Sequence, residues 1–317
     1  LFLTAIDPYG HELWRWTFPV NKLNQQTEQL SPLSSRPAYT ETENELTVKA
    51  NKRTFIFSKK DGQLKGISVD NRKISFANGP RFIGARRADR SLDQFYNHDD
   101  EKAKEKDRTY SEFPDAAVFT KLDVKEDGGN LVVTANYKLG NLDKAQWTIN
   151  PSGELALDYT YNFSGVVDLM GIRFDYPEDQ VISKRWLGAG PYRVWQNRIH
   201  GTQYDVWEND YNDPIPGETF TYPEFKGYFG NVSWMNIQTK EGTISLTNET
   251  PDAYIGVYQP RDGRDRLLYT LPESGISVLN VIPPVRNKVN STDLCGPSSQ
   301  PKWVNGPQTG RVIFRFM

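Results

Sequence analysis

The chain has 317 residues and a formal net charge of −2, with 38 basic residues set against 40 acidic ones. That balance lacks the basic surface a nucleic-acid partner requires, and no apolar run is long enough to form a membrane-spanning helix. One cysteine, Cys295, and three histidines, His11, His98 and His200, exclude a disulfide framework and make no usual zinc set, so neither a metal nor a cofactor is expected.

Leu1 to Ile6 reads as a strand, Asp7-Pro8-Tyr9-Gly10 as a turn, and Glu12 to Phe18 as a second, aromatic strand. A chain that opens in mid-strand is taken as a piece of a longer protein. Residues 21–45 are polar and rich in Gln, Ser, Pro and Thr, the composition of a linker between two modules. Residues 46–317 then read as one large domain.

Within it, Leu46, Val48 and Ala50 share one face. Arg53 to Phe57 and Leu64 to Val69 flank a hairpin turn at Asp61-Gly62. Ala117 to Val124 and Leu131 to Tyr137 flank another at Asp127-Gly128-Gly129. The clearest strand places Leu155, Leu157, Tyr159, Tyr161 and Phe163 on one face and Glu154, Ala156, Asp158, Thr160 and Asn162 on the other, the period of a half-buried antiparallel strand. Further strands are expected at Asn231 to Gln238, Gly242 to Thr247, Ala253 to Tyr258, Ser277 to Ile282 and Arg311 to Phe316. His98 to Arg108 has a helix-like composition but is charged on every side, so a mobile insertion is expected over residues 91–112. Many short strands separated by turns predict an all-β, antiparallel two-sheet sandwich.

Gly188, Gly190 and Pro191 are expected to end the strand through Trp186 and to throw the next thirty residues out of the sheet. Beyond Pro191 the chain interleaves aromatic rings with carboxylates and an arginine. A sugar offers an apolar C–H face and a rim of hydroxyls, which such a mixture suits. The candidate residues are Trp195, Arg198, His200, Trp207, Tyr222 and Glu224, with Trp303 reaching in from a neighbouring loop. The alternative is a structured loop whose aromatics form a small core of their own, with Arg198 paired internally to Asp205 or Asp210. There is no phosphate loop, nucleophile elbow or paired-histidine motif. Carboxylate pairs such as Glu218 with Glu224 define no acid–base couple among 40 acidic residues, and no catalytic residue is assigned.

Trp186-Leu187-Gly188-Ala189-Gly190-Pro191 followed by Arg198 resembles the LGxGPxExYxDR signature of the C-terminal domain of bacterial β-galactosidases of glycoside hydrolase family 2. Phe57 to Leu64 is similar to the hairpin that opens that domain. Pro80-Arg81-Phe82 through Asp89-Arg90 stands where the family has RAPxDND, Tyr222 to Gly227 where it has PQExG, and Leu279-Asn280-Val281 where it has LNI. Residues 1–20 resemble the last strands of the preceding immunoglobulin-like domain. The resemblance covers nearly the whole chain. It implies a large super-sandwich of the galactose-mutarotase-like type, carbohydrate as ligand, a catalytic (β/α)₈ barrel upstream in the same polypeptide, and a parent enzyme that can be a homo-oligomer. The chain departs from the family at Arg193, Trp195 and Asn197, where the acidic residues of ExYxDR are lost, and at Val278, where a tryptophan precedes LNI. A free-standing carbohydrate-binding or epimerase-like module is the other class. It would need an acid–base couple, for which His200 with Glu224 is the available pair.

Overall fold

The computed structural model describes residues 1–18, 20, 35–87, 110–211, 227–258, 272, 274–284 and 296–317. In chain order the strands are β1 (Phe2–Ile6), β2 (Glu12–Thr17), β3 (Ala38–Glu41), β4 (Glu45–Ala50), β5 (Arg53–Ser58), β6 (Leu64–Val69) and β7 (Arg72–Ile74). Next come β8 (Ala77–Arg87), β9 (Tyr110–Glu112), β10 (Val118–Asp127), β11 (Asn130–Lys138), β12 (Leu142–Ile149), β13 (Leu155–Val167) and β14 (Leu169–Asp175). The last seven are β15 (Val181–Gly190), β16 (Gln203–Asp210), β17 (Trp234–Thr239), β18 (Gly242–Asn248), β19 (Tyr254–Val257), β20 (Ile276–Val281) and β21 (Lys302–Phe316).

Two sheets build the expected antiparallel sandwich. One has nine strands in the order β10-β11-β12-β13-β21-β18-β17-β15-β16. The other has ten, with the path β19-β20-β14-β8-β6-β5-β4-β3 and with β7 and β9 paired at its side. Their inner faces meet in one core. Leu157, Tyr159 and Tyr161 of β13 face Phe55, Phe57 and Phe82 from the other sheet, and Phe76 stacks on Phe174 with ring centroids 4.8 Å apart. Each such ring removes enough apolar surface from water to stabilise the fold by about 1.5–3 kcal/mol. The hairpin between β5 and β6 turns where expected, with Gly62 at φ +72°, a left-handed conformation that favours glycine.

Several expectations need correction. The linker assigned to residues 21–45 ends sooner: Ala38–Glu41 pairs antiparallel with β4 as an edge strand, and its alternation was too short to stand out among polar neighbours. The strand through Trp186 does not stop at Gly188. β15 runs on to Gly190, and β16 returns to pair with it from Ser183↔Asp210 to Gly190↔Gln203, so only residues 191–202 leave the sheet. The two glycines make room instead of a break. A Cβ on Gly190 would lie 2.6 Å from Cγ of Trp207, and one on Gly188 would lie 3.0 Å from Cα of Val232. The charged stretch His98 to Arg108 lies outside the described residues. Tyr110–Glu112, at the end of the expected mobile insertion, is a strand paired with β8.

The hairpin β1–β2 forms a separate two-stranded sheet. It lies beside β16 and leaves Phe2, Leu3, Trp14 and Trp16 exposed.

Candidate functional site

The segment after β15 crosses the outer face of the ten-stranded sheet. Period-two alternation sends Phe82, Met170, Ile172 and Val278 inward, so Ile83, Ala85, Leu169 and Leu279 point outward. Val194 and Trp195 cover them together with Tyr228 and form a second, smaller core. Val194 and Tyr228 exchange backbone hydrogen bonds of 2.7 and 2.8 Å. Trp195 meets the Tyr228 ring edge to face at 5.7 Å and is 1 % exposed. Its ring is therefore a prop and is withdrawn from any ligand. Gln196 fixes the far end of the segment: its Nε2 donates to the carbonyls of Ser298 and Gln300, at 3.0 and 2.7 Å. This brings the segment against the residues that lead into β21.

The other candidates divide. Arg198 is exposed, and among the described residues it pairs with neither Asp205 nor Asp210, contrary to the internal pairing considered from sequence. His200 is exposed on the turn before β16. Trp207 lies half-buried on β16 over Gly190, and its Nε1 donates to the Gln203 carbonyl at 3.1 Å. Trp303 is 70 % exposed on β21, opposite Val166 of β13. Tyr222 and Glu224 lie outside the described residues. Val278, the residue in place of the family's tryptophan, is buried inside the main core. Arg198 and His200 thus lie on the connection between β15 and β16, and Trp207, on β16, packs against the main core.

Two residues further along the same outer face, the apolar row gives way to charge. Arg81 of β8 and Arg173 of β14 stand opposite each other and form part of the wall of a cavity of about 640 Å³. Asn78, Asp175, Glu178 and Tyr258 also line it. Asp175 accepts from Arg81 through one oxygen and from Asn78 Nδ2, at 2.9 Å, through the other. Glu178 accepts from the Tyr211 hydroxyl. The Tyr258 hydroxyl donates to the Tyr176 carbonyl, and its ring meets Tyr211 edge to face at 6.1 Å. These partners hold the carboxylates as fixed hydrogen-bond acceptors. Loss of surrounding water holds the Asp115 carboxyl above its ordinary range, against the pull of backbone N–H groups and of Arg81 and Arg173.

Sequence reasoning reached Arg81 only through the resemblance and missed the cavity. A usable signal was Arg173-Phe174-Asp175, two charged residues around a phenylalanine at the end of an otherwise apolar run.

The model of the β-galactosidase small chain family matches residues 49–283. A search of curated proteins finds no match. Among solved structures, a galactose 1-epimerase from Lactobacillus acidophilus aligns at TM-score 0.43 with 8 % identity, covering 90 % of this chain and 99 % of that one. An aldose epimerase homologue from C. elegans aligns at TM-score 0.39 with 8 % identity, over 89 % of this chain and 99 % of that one. An amine oxidase from Aspergillus nidulans aligns at TM-score 0.34 with 8 % identity, over 98 % of this chain and 58 % of that one. At such scores nothing of their chemistry passes to this protein. The family match spans well over half of the sequence, and the chain belongs to the β-galactosidase small chain family.

Proposed function

We propose that the chain is a non-catalytic C-terminal domain of a glycoside hydrolase, joined in one polypeptide to an upstream catalytic barrel. Its β15–β16 corner shapes the rim of that enzyme's carbohydrate site. The observation that carries this reading is the β1–β2 hairpin. A two-stranded hairpin is marginal by itself, and this one exposes Phe2, Leu3, Trp14 and Trp16. Such a hairpin suits the rest of an immunoglobulin-like module packed against it. Because β2 lies beside β16, a module seated there comes up against the strand that carries Trp207 and the segment that carries Arg198 and His200.

The test uses the parent polypeptide with its upstream domains. Trp207→Ala and Arg198→Ala should each raise KM for the glycoside by about tenfold, the loss of roughly one charge-assisted hydrogen bond or stacking contact, with a smaller effect on kcat. KM unchanged in both variants overturns the rim assignment.

A further inference from the structure

We infer that the cavity between Arg81, Asn78, Asp175 and Tyr258 is a second carbohydrate site, built for one neutral pyranose unit and separate from the β15–β16 corner. Its volume, about 640 Å³, lies in the range of small-molecule sites. Among the described residues that line it the charges balance, Arg81 and Arg173 against Asp175 and Glu178, so it favours a hydroxylated ligand over an anionic one. The donors of Arg81 and Asn78 stand beside the acceptors of Asp175 and Glu178, and a sugar hydroxyl both donates and accepts.

The cavity is also preorganised. Both Asp175 oxygens, the Glu178 carboxylate and the Tyr258 hydroxyl already have protein partners. A ligand therefore orders little on arrival, and the cost of fixing rotamers is met by the fold. Asn78 sits at φ +52°, where a side chain is strained. The amide it aims at Asp175 gives that conformation a use.

The experiment is calorimetric titration of the 317-residue chain with galactose, glucose and galacturonate. At least one neutral hexose binds, and galacturonate binds more weakly. Arg81→Ala weakens the neutral sugar at least tenfold. Asn78→Gly does the same while retaining the fold, because glycine accepts the backbone angle; an unchanged melting transition verifies this. The inference is overturned if neither hexose binds, if galacturonate binds best, or if folded Arg81→Ala and Asn78→Gly bind like the parent chain. Loss of binding in Trp207→Ala alone would move the sugar to the β15–β16 corner. That would end this inference and leave the rim proposal standing, whereas an unchanged KM in the parent polypeptide strikes the rim and leaves the cavity untouched.

Discussion

Two neighbouring rows on the outer face of the ten-stranded sheet have opposite fates. In one, Ile83, Gly171, Leu279 and Tyr254 stand side by side across β8, β14, β20 and β19. In the next, two residues along each strand, stand Arg81, Arg173, Ser277 and Gly256. Roughly 7 Å separates them. The first row carries an apolar lid made by Val194, Trp195 and Tyr228, and the second carries charge beside an open cavity. One sheet face thus serves as a second core and as polar lining. Which it does is decided strand by strand, by the residue that alternation turns outward. The comparison also separates two tasks: the covered row contributes stability and the charged row contributes recognition.

The sharpest way to break this contrast is Trp195→Ala. Removing a fully buried ring should cost about 3–5 kcal/mol, read from the chemical denaturation midpoint. A loss under about 1 kcal/mol would mean the lid is not a core. Gly171→Ala attacks the same row from below, since the new Cβ would lie 2.7 Å from Cα of Leu279. Overpacking there should cost about 1–3 kcal/mol. Arg81→Ala touches the charged row. Its ion pair with Asp175 is partly open to water, so the loss of stability should stay within about 1 kcal/mol. A cost as large as that of Trp195→Ala would erase the distinction between the rows.

Much of the fold was legible because its strands obey simple alternation. β13 shows it over its first nine residues: Leu155, Leu157, Tyr159, Tyr161 and Phe163 are buried as the pattern required, and on the other face only the small Ala156 is buried with them. β14 was not legible, because Leu169, Met170, Gly171 and Ile172 are buried on both faces and present an unbroken apolar run. β21 was seen only from Arg311, while the strand begins at Lys302. Gly306, Pro307 and Gly310 hid its first half. Pro307 is tolerated there because that half pairs with β13 alone, leaving the proline's other side outside the ladder.

The candidate residues were legible as a stretch of chain, but where each side chain goes was not. The aromatic and charged content after Gly190 marked the segment without telling prop from exposed residue. That Trp195 turns down onto Leu169 and Leu279 while Arg198 stays exposed depends on strands over a hundred residues apart, which no local pattern records. The cavity depends on the same long-range pairing, since Arg81 and Arg173 meet only across β8 and β14.

The most direct test of the non-catalytic reading is to assay the purified 317-residue chain, without upstream domains, for aryl glycoside hydrolysis and for acceleration of α-anomer mutarotation. The account predicts a stable, soluble chain inactive in both, with hydrolysis returning when the upstream domains are restored. Turnover in either assay by the chain alone, abolished by a substitution within it, would contradict the account and make this domain an enzyme in its own right.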